Sequence, residues 1–235
     1  MRFIDTVQGL NNIFANDIPK GSIILVTGPP GTLKSGLTFS LLSNYLENSD
    51  EYGVYITLEE SKASHLRNMD SMGLKLSERL FVSDYSDYRL KFEEASGNEN
   101  LIEVIGNNIM KYKEKKGEKF TCLGIDSLGA LYSLMDTDPS KLRKQLFHLF
   151  EPLRRENITT FVIFETYDII GQTQQSSGME GYLSDGIIDM MIKTKDNSSQ
   201  RYIQVKKMRA TSHSMDPYIL TVSGNGIEIY KDTTF

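Results

Sequence analysis

Apolar positions in this chain fall into two alternating rhythms. Residues 22–27 (SIILVT) form a continuous apolar, β-branched run, which predicts a strand covered on both faces. Residues 53–58, 80–83, 120–126 and 159–165 read the same way. Between these runs, apolar residues recur at helical spacing over residues 36–46, 61–72, 101–116 and 140–156. Ser61 is placed to cap the second helix and Gly73 to stop it. The third carries Leu101, Ile102, Val104, Ile105, Ile109 and Met110 as its apolar positions. Its Lys111, Lys113, Lys115 and Lys116 gather at the C-terminal end, where the helix dipole favours them as a solvated helix end. Pro152 interrupts or ends the fourth.

Strand and helix in alternation predict an α/β fold: a mostly parallel central sheet flanked by helices on both faces. The pattern then changes. Residues 187–193, 201–209, 217–222 and 227–230 lie close together, with residues 196–199 as a turn. They predict antiparallel C-terminal strands that extend the same sheet. Residues 7–15 suggest a short helix, residues 19–21 a turn and residues 85–100 a polar surface loop. The expectation is a single domain over residues 1–235.

The first strand and helix bracket the stretch Gly28-Pro29-Pro30-Gly31-Thr32-Leu33-Lys34-Ser35-Gly36. Gly28, Lys34 and Ser35 fit the phosphate-loop pattern G-x-x-x-x-G-K-[ST]; Leu33 stands at its second Gly. Successive backbone N–H groups at a helix N-terminus cradle anions, and the dipole adds to the attraction. Lys34 would neutralise β- and γ-phosphate charge, and the Ser35 hydroxyl would ligate Mg2+. Gly31 keeps the turn. The Leu33 side chain either crowds the nucleotide or turns away into the fold.

Composition narrows the setting. A 39% hydrophobic and 24% charged chain can build a core. A net charge of −5 argues against a nucleic-acid partner held over the whole surface. The one cysteine, Cys122, excludes an internal disulfide, suits a reducing cytoplasmic setting and sits in an apolar strand, where it is expected to be buried and inert. The chain shows no signal peptide and no run long enough to span a membrane.

Acidic residues close the predicted strands at the end where open α/β sheets bind ligands. Asp126 fits a carboxylate that holds the Mg2+ shell, or an N-cap for the segment starting at Ser127. In Glu59-Glu60, one carboxylate could orient or deprotonate an attacking water; acidic charge at a helix start is the simpler reading. Glu165 could sense the γ-phosphate or satisfy a buried network.

The loop GPPGTLKS, the strand end Thr57-Leu58-Glu59-Glu60, the strand end Ile125-Asp126-Ser127 and the late segment Lys207-Met208-Arg209-Ala210-Thr211-Ser212-His213 together resemble the KaiC-like branch of the RecA superfamily. Residues 178–188 resemble the stretch that precedes the family's late strands. The resemblance spans about residues 21–230. The family's late motif is K-x-R-G-[ST]-x-H, and Ala210 replaces its Gly. Asn16-Asp17 replaces the family's Gly-rich turn. The resemblance implies a RecA-like ATPase core that binds ATP and Mg2+ and assembles as a homo-oligomer, often a hexameric ring, with ATP between protomers. It also implies that one of Glu59 and Glu60 is a general base, and that Lys207 and Arg209 reach a neighbour's triphosphate, with Ser212 and His213 at the ligand or the interface. With a single phosphate loop, no clock or autokinase role carries over. Two further readings stand beside the ATPase: an ATP-binding regulator or scaffold for a protein partner with little turnover, and a DNA recombination motor. The acidic balance and the lack of a basic aromatic stripe count against the motor.

Overall fold

The computed structural model describes residues 1–85, 101–133, 139–166, 168–169, 172–173, 183–195, 198–224 and 226–232. Residues 86–100 of the expected loop over 85–100, residues 196–197 of the expected turn over 196–199 and the family-like residues 178–182 lie outside the described residues.

The strands are β1 (Ile23–Gly28), β2 (Tyr52–Thr57), β3 (Leu80–Asp84), β4 (Phe120–Asp126) and β5 (Thr159–Glu165), then the short β6 (Asp168–Ile169) and β7 (Gln172–Thr173), and finally β8 (Gly186–Lys195), β9 (Ser198–Met208), β10 (Tyr218–Ser223) and β11 (Gly226–Lys231). The helices are α1 (Lys34–Glu47), α2 (Lys62–Ser71), α3 (Leu101–Lys116), α4 (Leu128–Ser133) and α5 (Pro139–Arg155). Among the described residues, nine strands make one sheet in the order β11-β10-β9-β8-β1-β5-β4-β2-β3. From β8 to β3 every neighbouring pair is parallel. From β8 to β11 every pair is antiparallel. This is the predicted mixed sheet. β6 and β7 form a separate antiparallel pair.

Alternation along the central strands splits the core into two layers. Ile24 and Val26 of β1 face the layer built on Leu37, Leu41, Leu42 and Tyr45 of α1. Ile23 and Leu25 face the layer built on Ile102, Ile105 and Ile109 of α3 with Leu149, Phe150 and Leu153 of α5. A strand sandwiched this way has no solvent face, which is why β1 reads as an unbroken apolar run.

Two expectations change. In place of a helix over residues 7–15 there are 3-10 turns at Phe3–Asp5 and Leu10–Asn12. Gly9 has a φ of 85° and lies so close to β11 that a Cβ would sit 1.7 Å from the Ile229 carbonyl oxygen. Its neighbours spend backbone hydrogen bonds on the sheet: the Ile229 amide donates to Gln8, and the Ser214 amide to Ile13. Pro152 does not stop α5, which runs on to Arg155. It forfeits one hydrogen bond to the carbonyl four residues back without ending the helix.

Candidate functional site

β1 lies between β5 and β8, and the phosphate-type loop leaves its carboxyl end. Met190 of β8 presses on Gly28, whose Cβ would fall 2.2 Å from the Met190 carbonyl oxygen. Gly31 has a φ of 81°. Leu33, the N-cap of α1, has φ 74° and ψ 29°, the left-handed conformation that glycine supplies at no steric cost. The loop therefore turns as a glycine there would turn it. The Leu33 side chain is half-buried and packs against the apolar layer of α1. Of the two outcomes open in the sequence, it turns into the fold.

Lys34 is buried. Its Nζ donates to the Pro29 carbonyl at 2.9 Å and to Glu165 Oε1 at 3.1 Å. The Thr32 hydroxyl also donates to Pro29, at 2.9 Å. Glu165 thus meets the loop lysine from the end of β5. Arg201 of β9 donates its Nε to the Gly31 carbonyl at 2.8 Å. No local pattern signals this contact, because Arg201 has no motif spacing to the loop.

Asp126, at the end of β4, lies beside the Ser35 side chain and accepts the Tyr55 hydroxyl at 2.7 Å. Burial raises the Asp126 carboxyl above its usual range, against the opposing effect of the Ser35 and Tyr55 side chains. Burial, then the nearby Asp126, pushes the Tyr55 phenol well up, so it stays a donor. The N-cap alternative for Asp126 gives way to Ser127, whose Oγ accepts the Ala130 amide at 3.4 Å at the start of α4. Ser35 and Asp126 offer hard oxygen ligands, the chemistry Mg2+ takes from proteins when it keeps most of its waters. Among the described residues no cluster of three or more His, Cys, Asp or Glu is placed to hold a metal.

Glu59 and Glu60 follow β2, and their side chains part. The Ser127 hydroxyl donates to Glu59 Oε1, beside Asp126. Glu60 turns to α2, where His65 Nδ1 lies 3.0 Å from Oε1 and Asn68 Nδ2 donates to Oε2 at 2.8 Å. Ser61 caps α2 as expected, accepting the Ser64 amide at 3.3 Å.

The late motif lies elsewhere. Ile24 pairs with Gly186 and Gly186 with Met208, so Lys207 and Arg209 flank the amino end of β1. The loop leaves its other end, about 15 Å away by strand rise. Lys207 Nζ donates to the Ser184 carbonyl at 2.6 Å. Burial, then Arg209, lowers the Lys207 ammonium below its usual range. Arg209 Nη1 reaches Asp185 Oδ1 at 3.1 Å, and Arg154 Nε reaches Asp185 Oδ2 at 3.0 Å. The Ile23 amide donates to the same carboxylate at 3.0 Å. Burial tends to raise Asp185, but the Ile23 amide, Arg154 and Arg209 outweigh it and hold the carboxyl low. Ala210 has a φ of 59°, again the conformation of the glycine it replaces. The Ser212 carbonyl accepts the Ala15 amide at 2.9 Å, and the His213 backbone bridges Phe14. The structure thus brings Lys34, Ser35, Asp126, Glu59, Glu60 and Glu165 to one end of the sheet and leaves Lys207, Arg209, Ser212 and His213 away from it.

Comparison with known proteins bears on the family and the fold. The family model for the KaiC ATPase matches residues 5–234. The circadian clock oscillator protein KaiC of Parathermosynechococcus lividus is 31% identical over 232 residues, covering 95% of this chain and 41% of that protein. KaiC of Prochlorococcus marinus (strain MIT 9313) is 28% identical over 232 residues, covering 95% and 45%. The chain therefore spans less than half the length of these relatives. The crystal structure of a KaiC-like protein from Pyrococcus horikoshii OT3 superposes with a TM-score of 0.77 at 23% identity over 96% of each chain, which bears on the fold. A family model that matches this much of the chain means that the chain belongs to the KaiC ATPase family.

Proposed function

We propose that this protein is a Mg2+-dependent ATPase that acts as a homo-oligomer, with each nucleotide held between two copies. The observation that carries the reading is the union at one sheet end of a loop with glycine-like turns, a buried lysine and a Ser35–Asp126 pair, beside the Glu59-Glu60 turn. Backbone amides of residues 31–35 and the α1 N-terminus would bind the phosphates, and Lys34 would exchange Pro29 and Glu165 for phosphate oxygens. Ser35 and Asp126 would hold Mg2+, which supplies neutralisation of triphosphate charge when bound. Glu59, directed to Ser127 beside Asp126, is assigned as the base that takes a proton from the attacking water; Glu60, occupied by His65 and Asn68, holds the turn. Arg201 steadies the loop from the same chain. Lys207 and Arg209 lie too far from their own loop to serve it, which supports a role on a neighbour's triphosphate in a ring.

A second reading, an ATP-gated regulator with little turnover, is favoured by the Lys34–Glu165 pair, which nucleotide must displace. Binding and steady-state hydrolysis of ATP separate the two. Lys34→Ala is expected to weaken binding by about tenfold or more, as for a lost charge-assisted hydrogen bond. Glu59→Gln is expected to keep binding and lose about 100-fold in kcat, a general-base effect. Binding without hydrolysis above the Lys34→Ala level leaves the regulator, and absence of binding defeats both.

A further inference from the structure

His65 stands in α2 with its side chain wholly buried, and none of the roles above needs a histidine there. Its Nδ1 lies 3.0 Å from Glu60 Oε1. A carboxylate only accepts, so the Nδ1 nitrogen carries the proton. Its ring covers Tyr55 at 4.5 Å between centroids and 30° between planes, and meets Phe39 edge-on at 5.7 Å. Tyr55 in turn donates to Asp126. The second ring nitrogen, Nε2, is buried without a hydrogen-bond partner. Packing against Phe39 and Tyr55 alone would be served better by an apolar ring, since a half-satisfied buried polar group costs stability. The use of the imidazole therefore lies in its satisfied half. The backbone of the same turn is held from β2, where Thr57 Oγ1 donates to the Glu60 carbonyl at 2.8 Å.

We propose that His65 is a positioning residue for ATP hydrolysis. Through Nδ1 it fixes Glu60, and with it the turn that carries Glu59. Through its ring it fixes Tyr55, and with it the carboxylate of Asp126. One side chain thus sets the distance between the proposed base and the proposed Mg2+ ligand, which belong to the ends of different strands. The proposal rests on the ATPase reading above.

Two variants of the full chain test it. His65→Phe keeps the ring stack, removes the Nδ1 donor and removes the unpartnered Nε2. His65→Asn returns an N–H donor near the position of Nδ1 and gives up the ring. For His65→Phe the expected result is an unchanged or raised Tm, binding of a fluorescent ATP analogue with Mg2+ within about threefold of wild type, and a kcat lower by about tenfold or more. For His65→Asn it is a lower Tm with a kcat above that of the Phe variant. A residue needed only for packing gives the reverse order, with kcat following Tm; that order, or a His65→Phe kcat within about twofold of wild type, overturns the proposal. If wild type turns over no ATP above the Lys34→Ala level, the ATPase reading fails by itself, and nitrogen NMR of the imidazole decides on His65. A proton on Nδ1 whose resonance moves in Glu60→Gln supports the positioning of Glu60, and a proton confined to Nε2 overturns it.

Discussion

Leu33 and Ala210 share one backbone conformation and one history in the pattern: each stands where a glycine is expected, and each has a left-handed φ. An L-residue there carries about 1–2 kcal/mol of strain. Ala210 is exposed and gains nothing in return, so Ala210→Gly is expected to stabilise the fold by about 0.5–1 kcal/mol, less whatever unfolded-chain entropy the glycine adds. Leu33 recovers part of its strain by packing on the layer around α1. Leu33→Ala keeps the strain and loses the packing, and is expected to cost about 1 kcal/mol; Leu33→Gly, which removes both, should fall close to wild type. Urea melts of the three variants measure this order. The substitutions themselves were plain in the sequence. Their harmlessness to the loop was not, because a residue type does not report its φ when the surrounding packing imposes it.

Elements with a regular apolar pattern were the most legible. α3, β4 and β5 begin and end at the residues the apolar pattern marks. Cys122 of β4 is fully buried, and burial, followed by the charge of Glu51, drives its thiol far above its usual range. It is expected to resist alkylation by iodoacetamide in the native protein and to react only with denaturant present; labelling at the native rate of a free thiol would place β4 at the surface. The N-terminal segment was least legible. Its 3-10 turns depend on hydrogen bonds to β11 and to the segment after β9, more than 200 residues away in sequence, which no local periodicity reports. Pro152 misleads for a different reason: the helix bond it forfeits is outweighed by core packing of Leu149, Phe150 and Leu153 on either side of it.

At the scale of the molecule, the candidate residues divide between the two ends of the sheet. The loop, Asp126 and Glu59 gather at one, and Arg209 is held at the other by Asp185, which also binds Arg154 and the Ile23 amide. If Arg209 completes a neighbour's site, Lys34→Ala and Arg209→Ala copies should each be inactive alone and regain ATP hydrolysis when mixed, since some interfaces then pair an intact loop with an intact arginine. No recovery at any ratio would show that Arg209 does not act across copies. The late Lys-x-Arg motif was visible in the sequence. Its separation from the loop followed only from the register, because Gly186 bridges Ile24 to Met208 across two strands.

The sequence by itself determined the mixed sheet, the loop with its lysine and serine, and the acidic strand ends, because each is written in neighbouring residues or in a short period. Only the tertiary structure decided the rest: that Leu33 turns inward, that Ser127 and not Asp126 caps α4, that Arg201 reaches Gly31, and that Glu59 and Glu60 face different partners. Each of these depends on which distant strand or helix lies alongside. That is fixed by how the whole apolar surface closes and by which buried polar groups then find a partner.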